Sequence, residues 1–125
     1  MKMLVVDDSR AMRAYLRALA SQLSFTSEEA EDGRAALDLL IQNDPREPFD
    51  IALVDLNMPR MNGIEFIQFV RRNREYDRVK LMVVTTDNTV EALSSSIAAG
   101  ADDLLMKPVT RESLAEKLAI LGLVA

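Results

Sequence analysis

The sequence has no cysteine and no histidine among its 125 residues. The lack of cysteine excludes disulfides and thiolate metal sites. The lack of histidine excludes imidazole-bound zinc, Ser–His catalysis and a phosphohistidine on this chain. Any metal or transfer chemistry must therefore use carboxylates, hydroxyls, lysines and the backbone.

Basic residues are outnumbered, with 15 Lys and Arg against 20 Asp and Glu, for a formal net charge of −5. This balance argues against nucleic-acid binding, which needs a net cationic surface. Long apolar runs are also lacking, and the first one, residues 3–6, is too short for a signal peptide or a membrane span. We expect a cytoplasmic protein with no membrane partner, folded as a single domain over residues 1–125.

Short apolar runs alternate with segments in which apolar residues recur at helical spacing. The runs are residues 3–6, 25–30, 51–54, 81–84 and 104–106, and the second is short and partly charged, as edge strands often are. Nearly continuous apolar strands are typical of a parallel sheet buried on both faces. The alternation therefore predicts an α/β fold, a doubly wound parallel sheet with right-handed crossovers and helices on both faces.

Each predicted helix has an apolar stripe. The stripes are Met12, Leu16, Leu19 and Leu23; Ala36, Leu37, Leu40 and Ile41; Ile64, Ile67 and Val70, widened by Phe66 and Phe69; Val90, Leu93 and Ile97; and Leu114, Leu118 and Leu121. Ser9, Asn62, Thr110 and either Asn88 or Thr89 are expected at helix starts. Gly100 suits the left-handed position that closes the fourth helix.

Polar side chains follow four of the predicted strands. Asp7 and Asp8 follow the first strand, Asp55 the third, Thr85 the fourth and Lys107 the fifth. Because parallel strands point the same way, these side chains gather at one edge of the sheet. Oxygen ligands suit Mg²⁺, which often shares phosphate oxygens with one or two carboxylates. The pattern predicts a phosphoryl-transfer site with Asp55 as the nucleophile and Lys107 as a second positive charge.

Each of these residues also has a purely structural interpretation. Asp8 could belong to a helix cap, Asp55 to a turn, and Thr85 to the end of a strand. Lys107 could be a solvated surface lysine, with Pro108 setting the start of the last helix. Taken singly, the structural interpretation is favoured, but the joint occurrence at four strand ends favours a site.

Five motifs together resemble the receiver domains of bacterial two-component response regulators, most closely the stand-alone CheY-like type. They are VVDDS at 5–9, AEDGRAAL at 30–37, LVDLNMPRMNG at 53–63, VVTT at 83–86 and LMKP at 105–108. They occur in the family's order and cover essentially the whole chain. The resemblance implies a flavodoxin-like sheet of five parallel strands in the order 2-1-3-4-5, an order that the hydrophobic pattern does not supply.

The resemblance implies a phosphoacceptor and a metal site. Asp55 matches the residue that accepts a phosphoryl group from the phosphohistidine of a sensor histidine kinase or phosphotransfer protein. Asp8, Asp55 and the backbone carbonyl of Asn57 match the ligands of Mg²⁺, with Mn²⁺ as an alternative ion. Asp7 matches an acid that acts mainly through metal-bound water.

Further residues match positions that surround the phosphoryl group. Thr85 matches the hydroxyl that swings toward a phosphoryl oxygen, and Lys107 matches the lysine that pairs with it. Asn57 and Asp87 match positions that tune spontaneous dephosphorylation. The Lys107–Pro108 peptide matches one that is cis in the family.

One residue departs from the family pattern. Leu104 stands where the family often has an aromatic residue whose rotation reports phosphorylation, so that coupling cannot operate in its usual form. We expect the signal to pass through the loop after Thr85 to the fourth helix, and to change a surface formed by that helix, the fifth strand and the fifth helix. We expect no output domain after Ala125, and therefore contact with a downstream target protein, from a monomer or a phosphorylation-dependent dimer.

These features predict a phosphoacceptor switch, not an enzyme, that assists its own phosphorylation and dephosphorylation. A phosphorylation-independent binding module on the same fold is the main alternative, and Mg²⁺ titration would separate the two. An aspartyl hydrolase is disfavoured because Asn57 stands where a second acid is needed. A flavin site is disfavoured by the absence of a Gly-rich loop after the first strand and by an aromatic content of 5% without tryptophan.

Overall fold

A computed structural model gives the structure of the protein and describes residues 1–123. Strands and α-helices alternate along this range. They are β1 (Lys2–Val6), α1 (Arg10–Gln22), β2 (Thr26–Ala30), α2 (Gly33–Gln42), β3 (Ile51–Val54), α3 (Gly63–Arg72), β4 (Lys80–Thr85), α4 (Val90–Ala99), β5 (Asp103–Met106) and α5 (Arg111–Ile120), with a 3-10 turn at Arg74–Tyr76 between α3 and β4.

The strands form one parallel sheet in the order β2-β1-β3-β4-β5. This confirms the doubly wound architecture and the strand order that the family resemblance implied. The register is level across the centre of the sheet, because Val6 at the end of β1 pairs with both Ala30 and Val54, and Val54 pairs with Val83. The residues that follow β1 and β3 therefore begin at the same height.

Two hydrophobic cores lie on opposite faces of the sheet. On one face α1 and α5 pack with Leu16, Leu19, Leu114 and Leu118 against alternate strand residues such as Val5 and Leu53. On the other face α2 and α3 pack with Leu37, Leu40, Phe66, Ile67 and Val70 against Val6, Ala52 and Val83, with α4 at the margin. Burial on both faces is the reason why β3 and the central residues of β1 and β4 are apolar.

A side chain caps the start of each α-helix in the described range and accepts a hydrogen bond from the first turn. The capping residues are Ser9, Asp32, Asn62, Thr89 and Thr110. The predicted caps are confirmed, and Thr89 rather than Asn88 caps α4.

The apolar stripe of α4 faces outward. Val90 is 74% exposed and Ile97 is 53% exposed, whereas Ser96 is fully buried. The buried face of α4 is therefore its face of small residues. The buried Ser96 hydroxyl on this face donates a hydrogen bond to the carbonyl of Ala92 at 2.8 Å. Ile41 also differs from its predicted place in the α2 stripe, because it lies outside the core at 62% exposure.

Gly100 confirms its predicted place at the end of α4, with φ at +120°. A side chain there would collide with Arg71, since an added Cβ would lie 2.4 Å from the Arg71 Cγ atom. Within residues 1–123, no helix is long and apolar enough to cross a membrane.

Candidate functional site

The level register brings three carboxylates together at the carboxyl edge of the sheet. Asp7 and Asp8 follow Val6, and Asp55 follows Val54, which pairs with Val6. The Asp55 backbone N–H continues the ladder by donating to the Val6 carbonyl at 2.9 Å. One carboxylate oxygen from each acid lies within 4.8 Å of the others, so the predicted acidic cluster forms.

Asp7 is the most deeply buried member of the cluster, at 1% exposure. Its Oδ1 accepts from the backbone N–H of Ser9 at 2.8 Å, and its Oδ2 accepts from the ammonium of Lys107 at 3.1 Å. Its backbone carbonyl accepts from Nη1 of Arg13 at 2.8 Å. The Asp7 side chain and backbone are thus held from three directions, by α1, by Lys107 directly after β5 and by the loop between β1 and α1.

Lys107 connects the far edge of the sheet to the acidic cluster. Its Nζ lies 3.1 Å from Asp7 Oδ2 and 3.9 Å from Asp55 Oδ1, and its side chain is 18% exposed. Its backbone N–H donates to the Thr85 carbonyl at 2.9 Å, and the following peptide to Pro108 is cis, as the resemblance implied. Because Lys107 faces two anions, it can contact a further anion near Asp55 while it still balances Asp7.

The environment of Asp55 opposes its ionisation. Burial is the main cause that raises the pKa of this carboxyl group, and the charges of Asp7 and Asp8 raise it further. The Lys107 ammonium and a hydrogen bond from the Asn57 backbone N–H act in the opposite direction, but the net shift of the pKa is upward. An ionised Asp55 is therefore a high-energy group unless another cation stands beside it.

The donor set of this cluster fits a hard divalent cation. Asp7 and Asp55 are buried, while Asp8 is exposed. In the described part of the chain, Lys107 is the one ammonium paired with these three carboxylates, which leaves negative charge that Mg²⁺ would offset. Asn57, whose carbonyl the resemblance assigns to the metal, lies two residues after Asp55 in the adjoining loop.

Thr85 is linked by hydrogen bonds to the start of α4. Its hydroxyl, on a residue that is 1% exposed, accepts from the backbone N–H of Asp87 at 3.0 Å. The Asp87 carboxylate accepts from the Thr89 N–H at 3.0 Å, and this bond is the main reason why the pKa of Asp87 is lowered. Thr89 in turn caps α4 through the N–H of Ala92. Four residues thus form a continuous chain from β4 into the first turn of α4.

The structure separates the predicted residues into three groups. Asp7, Asp8, Asp55 and Lys107 converge in one cluster. Thr85 ends β4, and Asp87 and Asn57 lie in the loops that follow β4 and β3, with the Asp87 N–H bonded to the Thr85 hydroxyl. Leu104 pairs with Val83 in the sheet and packs, half-buried, against the α2–α3 core, while Pro108 is exposed after the cis bond.

Two arginines near the site were not found by reasoning from the sequence. Arg13 fixes the Asp7 carbonyl and also donates to Glu29 at 2.8 Å, and Arg60 contacts Asp32, the cap of α2. In the sequence Arg13 is only a polar position on the helix wheel, and Arg60 is only a loop residue. Both contacts depend on the packing of separate elements, so no local sequence pattern predicts them.

Comparison with known proteins agrees with this geometry. The family model of the response regulator receiver domain matches residues 3–119. The chain belongs to this family. It is a receiver of two-component signalling.

Relatives of the chain include chemotaxis proteins. It is 37% identical over 119 residues to the CheY homolog of Campylobacter jejuni, covering 94% of this chain and 89% of that protein. It is 34% identical to CheY-3 of Vibrio cholerae, covering 94% and 88% of the two chains. The structure of CheY4 from Vibrio cholerae matches with a TM-score of 0.86 at 33% identity, covering 95% of this chain and 96% of that one.

Substitution of Asp55 by asparagine is expected to stabilise the metal-free protein at pH 7. Folding raises the pKa of this carboxyl group, so its protonated form contributes to the free energy of unfolding. That contribution is lost as the pH rises through the pKa of the folded state. Asp55→Asn removes that loss, and it should raise the Tm by roughly 4 °C for each 1 kcal/mol gained in a domain of this size. The measurement is thermal unfolding with a chelator present.

The gain should disappear when the pH falls below about 3.9, the ordinary pKa of an aspartate, because Asp55 is then protonated in both states. Asp38→Asn, at an exposed carboxylate on α2, is the control and should change the Tm little at either pH. A lower Tm for Asp55→Asn at pH 7 would show that the cluster stabilises the ionised acid.

Proposed function

We propose that the chain is a phosphorylation-dependent switch that accepts a phosphoryl group on Asp55 from the phosphohistidine of a sensor histidine kinase or phosphotransfer protein. The observation that carries this proposal is the buried Asp55 carboxylate between the acids of β1 and the ammonium of Lys107. Membership of the receiver family supports the same assignment.

The transfer requires an in-line nucleophile and positive charge near the equatorial oxygens. A carboxylate oxygen of Asp55 attacks the phosphorus, a P–O bond forms, and the P–N bond to the partner's imidazole breaks with its electron pair left on nitrogen. Lys107, 3.9 Å from Asp55 Oδ1, is placed to pair with an oxygen of the incoming group. In this way the chain's own residues assist the reaction without being an enzyme for an external substrate.

The acidic cluster is proposed to hold Mg²⁺, with Mn²⁺ as a substitute. Asp8, Asp55 and the Asn57 carbonyl would be the ligands, and Asp7 would act through metal-bound water. The ion would supply the positive charge that three neighbouring carboxylates and a phosphoryl group need. The exposed side chain of Asn57 and the carboxylate of Asp87, at the edge of the site, are proposed to tune hydrolysis of the acyl phosphate.

The signal is proposed to leave the site through Thr85. When its hydroxyl turns to a phosphoryl oxygen, it gives up the N–H of Asp87 that it now accepts from. Asp87 is also bonded to the N–H of Thr89, the cap of α4, so the start of that helix is released or shifted. This route does not use an aromatic residue at position 104, which is consistent with Leu104 in β5.

The outward face of α4 is proposed as the surface that a downstream target protein contacts. Val90, Leu93 and Ile97 are exposed along it, and Met106 of the neighbouring β5 is 37% exposed. Together with α5 this surface could also join two phosphorylated copies. The chemotaxis names of the relatives support a protein target over nucleic acid. The proposed protein is a single receiver domain over residues 1–125, and its proposed location is the cytoplasm.

A second candidate is a binding module of the same fold that acts without phosphorylation. The observation in its favour is Leu104, half-buried at a position where the family often has a mobile aromatic side chain. The complete cluster of Asp7, Asp8, Asp55 and Lys107 opposes it, because such a module has no need to bury acids beside a lysine.

Acetyl phosphate is expected to add one phosphoryl group to the protein in the presence of Mg²⁺. The added mass should be absent without Mg²⁺ and should decay on standing, because an acyl phosphate hydrolyses. Intact-mass spectrometry measures it, with Asp38→Asn as a control that labels normally. An equal gain of mass by Asp55→Asn would show that the acceptor is a different residue.

Replacement of Thr85 by alanine is expected to leave phosphoryl uptake in place but to uncouple α4 from it. In the wild-type protein, phosphorylation should shift the backbone amide signals of Thr89 and Val90 in NMR spectra. Thr85→Ala should lose most of these shifts, whereas Thr86→Ala, at the exposed neighbouring threonine, should retain them. Wild-type shifts in Thr85→Ala would contradict the proposed route.

A further inference from the structure

Asp32 is a buried carboxylate outside the acidic cluster. It is 1% exposed, and its Oδ1 caps α2 by accepting from the N–H of Ala35 at 2.8 Å. Within residues 1–123, Oδ2 accepts no hydrogen bond. Its charge is met by Nη2 of Arg60, which lies 2.8 Å away in an ion pair. Such a buried anion depends strongly on its one counter-charge.

Arg60 lies in the loop of residues 56–62 that follows Asp55, here called the phosphoacceptor loop. Its φ is +64°, a left-handed backbone conformation that a side chain other than glycine or asparagine adopts at a cost. Its Nη2 also contacts Oε1 of Glu31 at 2.9 Å. The surrounding contacts therefore hold Arg60 in a conformation that its own backbone does not favour.

A second contact joins the same two segments. The backbone N–H of Gly33 donates to the carbonyl of Met61 at 3.0 Å, and an added Cβ on Gly33 would lie 2.8 Å from that carbonyl oxygen. The phosphoacceptor loop follows β3 and residues 31–33 follow β2. Because β1 lies between these strands, the contacts reach past the end of β1, where Asp7 and Asp8 are placed.

The phosphoacceptor loop has little freedom at its other end. The Gly63 N–H donates to the Leu56 carbonyl at 3.1 Å and closes the loop. An added Cβ on Gly63 would lie only 2.3 Å from the carbonyl oxygen of Asp55, so α3 begins against the backbone of the acceptor itself. A displacement at Arg60 must therefore be taken up within the loop, which contains Asn57.

We propose that Arg60 is a positioning residue for the metal site, because its ion pair with the buried Asp32 fixes the phosphoacceptor loop in the shape that presents the Asn57 carbonyl to the acidic cluster. The inference rests on the proposed function, in which that carbonyl is a metal ligand. Arg60 itself does not belong to the cluster of Asp7, Asp8 and Asp55. Its role is exerted through the loop.

The sign of the effect on Mg²⁺ binding distinguishes this role from a general electrostatic one. Removal of a positive charge near the site favours binding of a cation, so a purely electrostatic role predicts tighter Mg²⁺ binding without Arg60. A positioning role predicts weaker binding, because the carbonyl ligand is no longer held in place. Partners that orient ligands typically change metal affinity by about 10- to 100-fold.

The test is calorimetric titration of the full chain with Mg²⁺ for the wild-type protein, Arg60→Asn, Asp32→Asn and the double variant. Asparagine at position 60 accepts a left-handed backbone, and asparagine at position 32 still caps a helix, so both variants keep the local fold. Arg34→Ala is the matched control, since Arg34 and Arg60 have side chains of similar exposure, 68% and 66%. Among residues 1–123, the ion pair of Arg34 is a long contact to Asp38 at 3.9 Å.

Arg60→Asn is expected to raise the Kd for Mg²⁺ about tenfold, at a temperature where unfolding curves show the variant folded. Asp32→Asn should weaken binding similarly, and the double variant should be no weaker than Arg60→Asn, since the same ion pair between Asp32 and Arg60 is lost in each case. Arg60→Lys, which restores the charge, should recover part of the affinity. Arg34→Ala should bind as the wild type does or slightly more tightly.

Wild-type or tighter Mg²⁺ binding by Arg60→Asn would overturn the inference and leave the proposed function standing. Additive losses in the double variant would also overturn it, because they would mean that the two residues act separately. Absence of Mg²⁺ binding by the wild-type protein would overturn both the inference and the proposed function.

Discussion

Mutual repulsion among three carboxylates, partly offset by one ammonium, is the interaction on which the rest of this structure depends. Asp7 and Asp55 are buried at the level ends of β1 and β3, and Asp8 stands beside them. Lys107 is brought from the far end of the chain to contact two of the acids. The arrangement stores unfavourable charge that a divalent cation and a phosphoryl group can relieve together.

The parallel sheet provides the rigidity that this arrangement needs. Its central strands are buried on both faces, and their register aligns Val6 with Val54, so the acids that follow them cannot drift apart. Contacts from outside the sheet then fix the loops, with Arg13 on the carbonyl of Asp7 and Arg60 on Asp32. The site is thus built from rigid strand ends and held by loop contacts that cross between elements.

Much of this could be predicted from the sequence. Buried parallel strands leave uninterrupted apolar runs, and the polar residues after those runs must meet at one edge, so the cluster of Asp7, Asp55 and Lys107 follows from pattern and topology. The strand order came from the family resemblance. The apolar stripe of α4 was also predicted from the sequence. Its periodicity does not indicate whether the face of large residues or the face of small residues of that helix is buried. The pair of Asp32 and Arg60 forms only after packing, so it leaves no local signal.

Paramagnetic relaxation by Mn²⁺ would test the central claim most directly, because it locates a divalent ion without assuming its ligands. Amide NMR signals should broaden first at Asp8, Asp55 and Asn57, and an excess of Mg²⁺ should restore them. Broadening that begins instead at the adjacent acids Asp102 and Asp103, at the start of β5, would contradict the account. It would mean that the buried cluster at the strand ends is not the cation site of this protein.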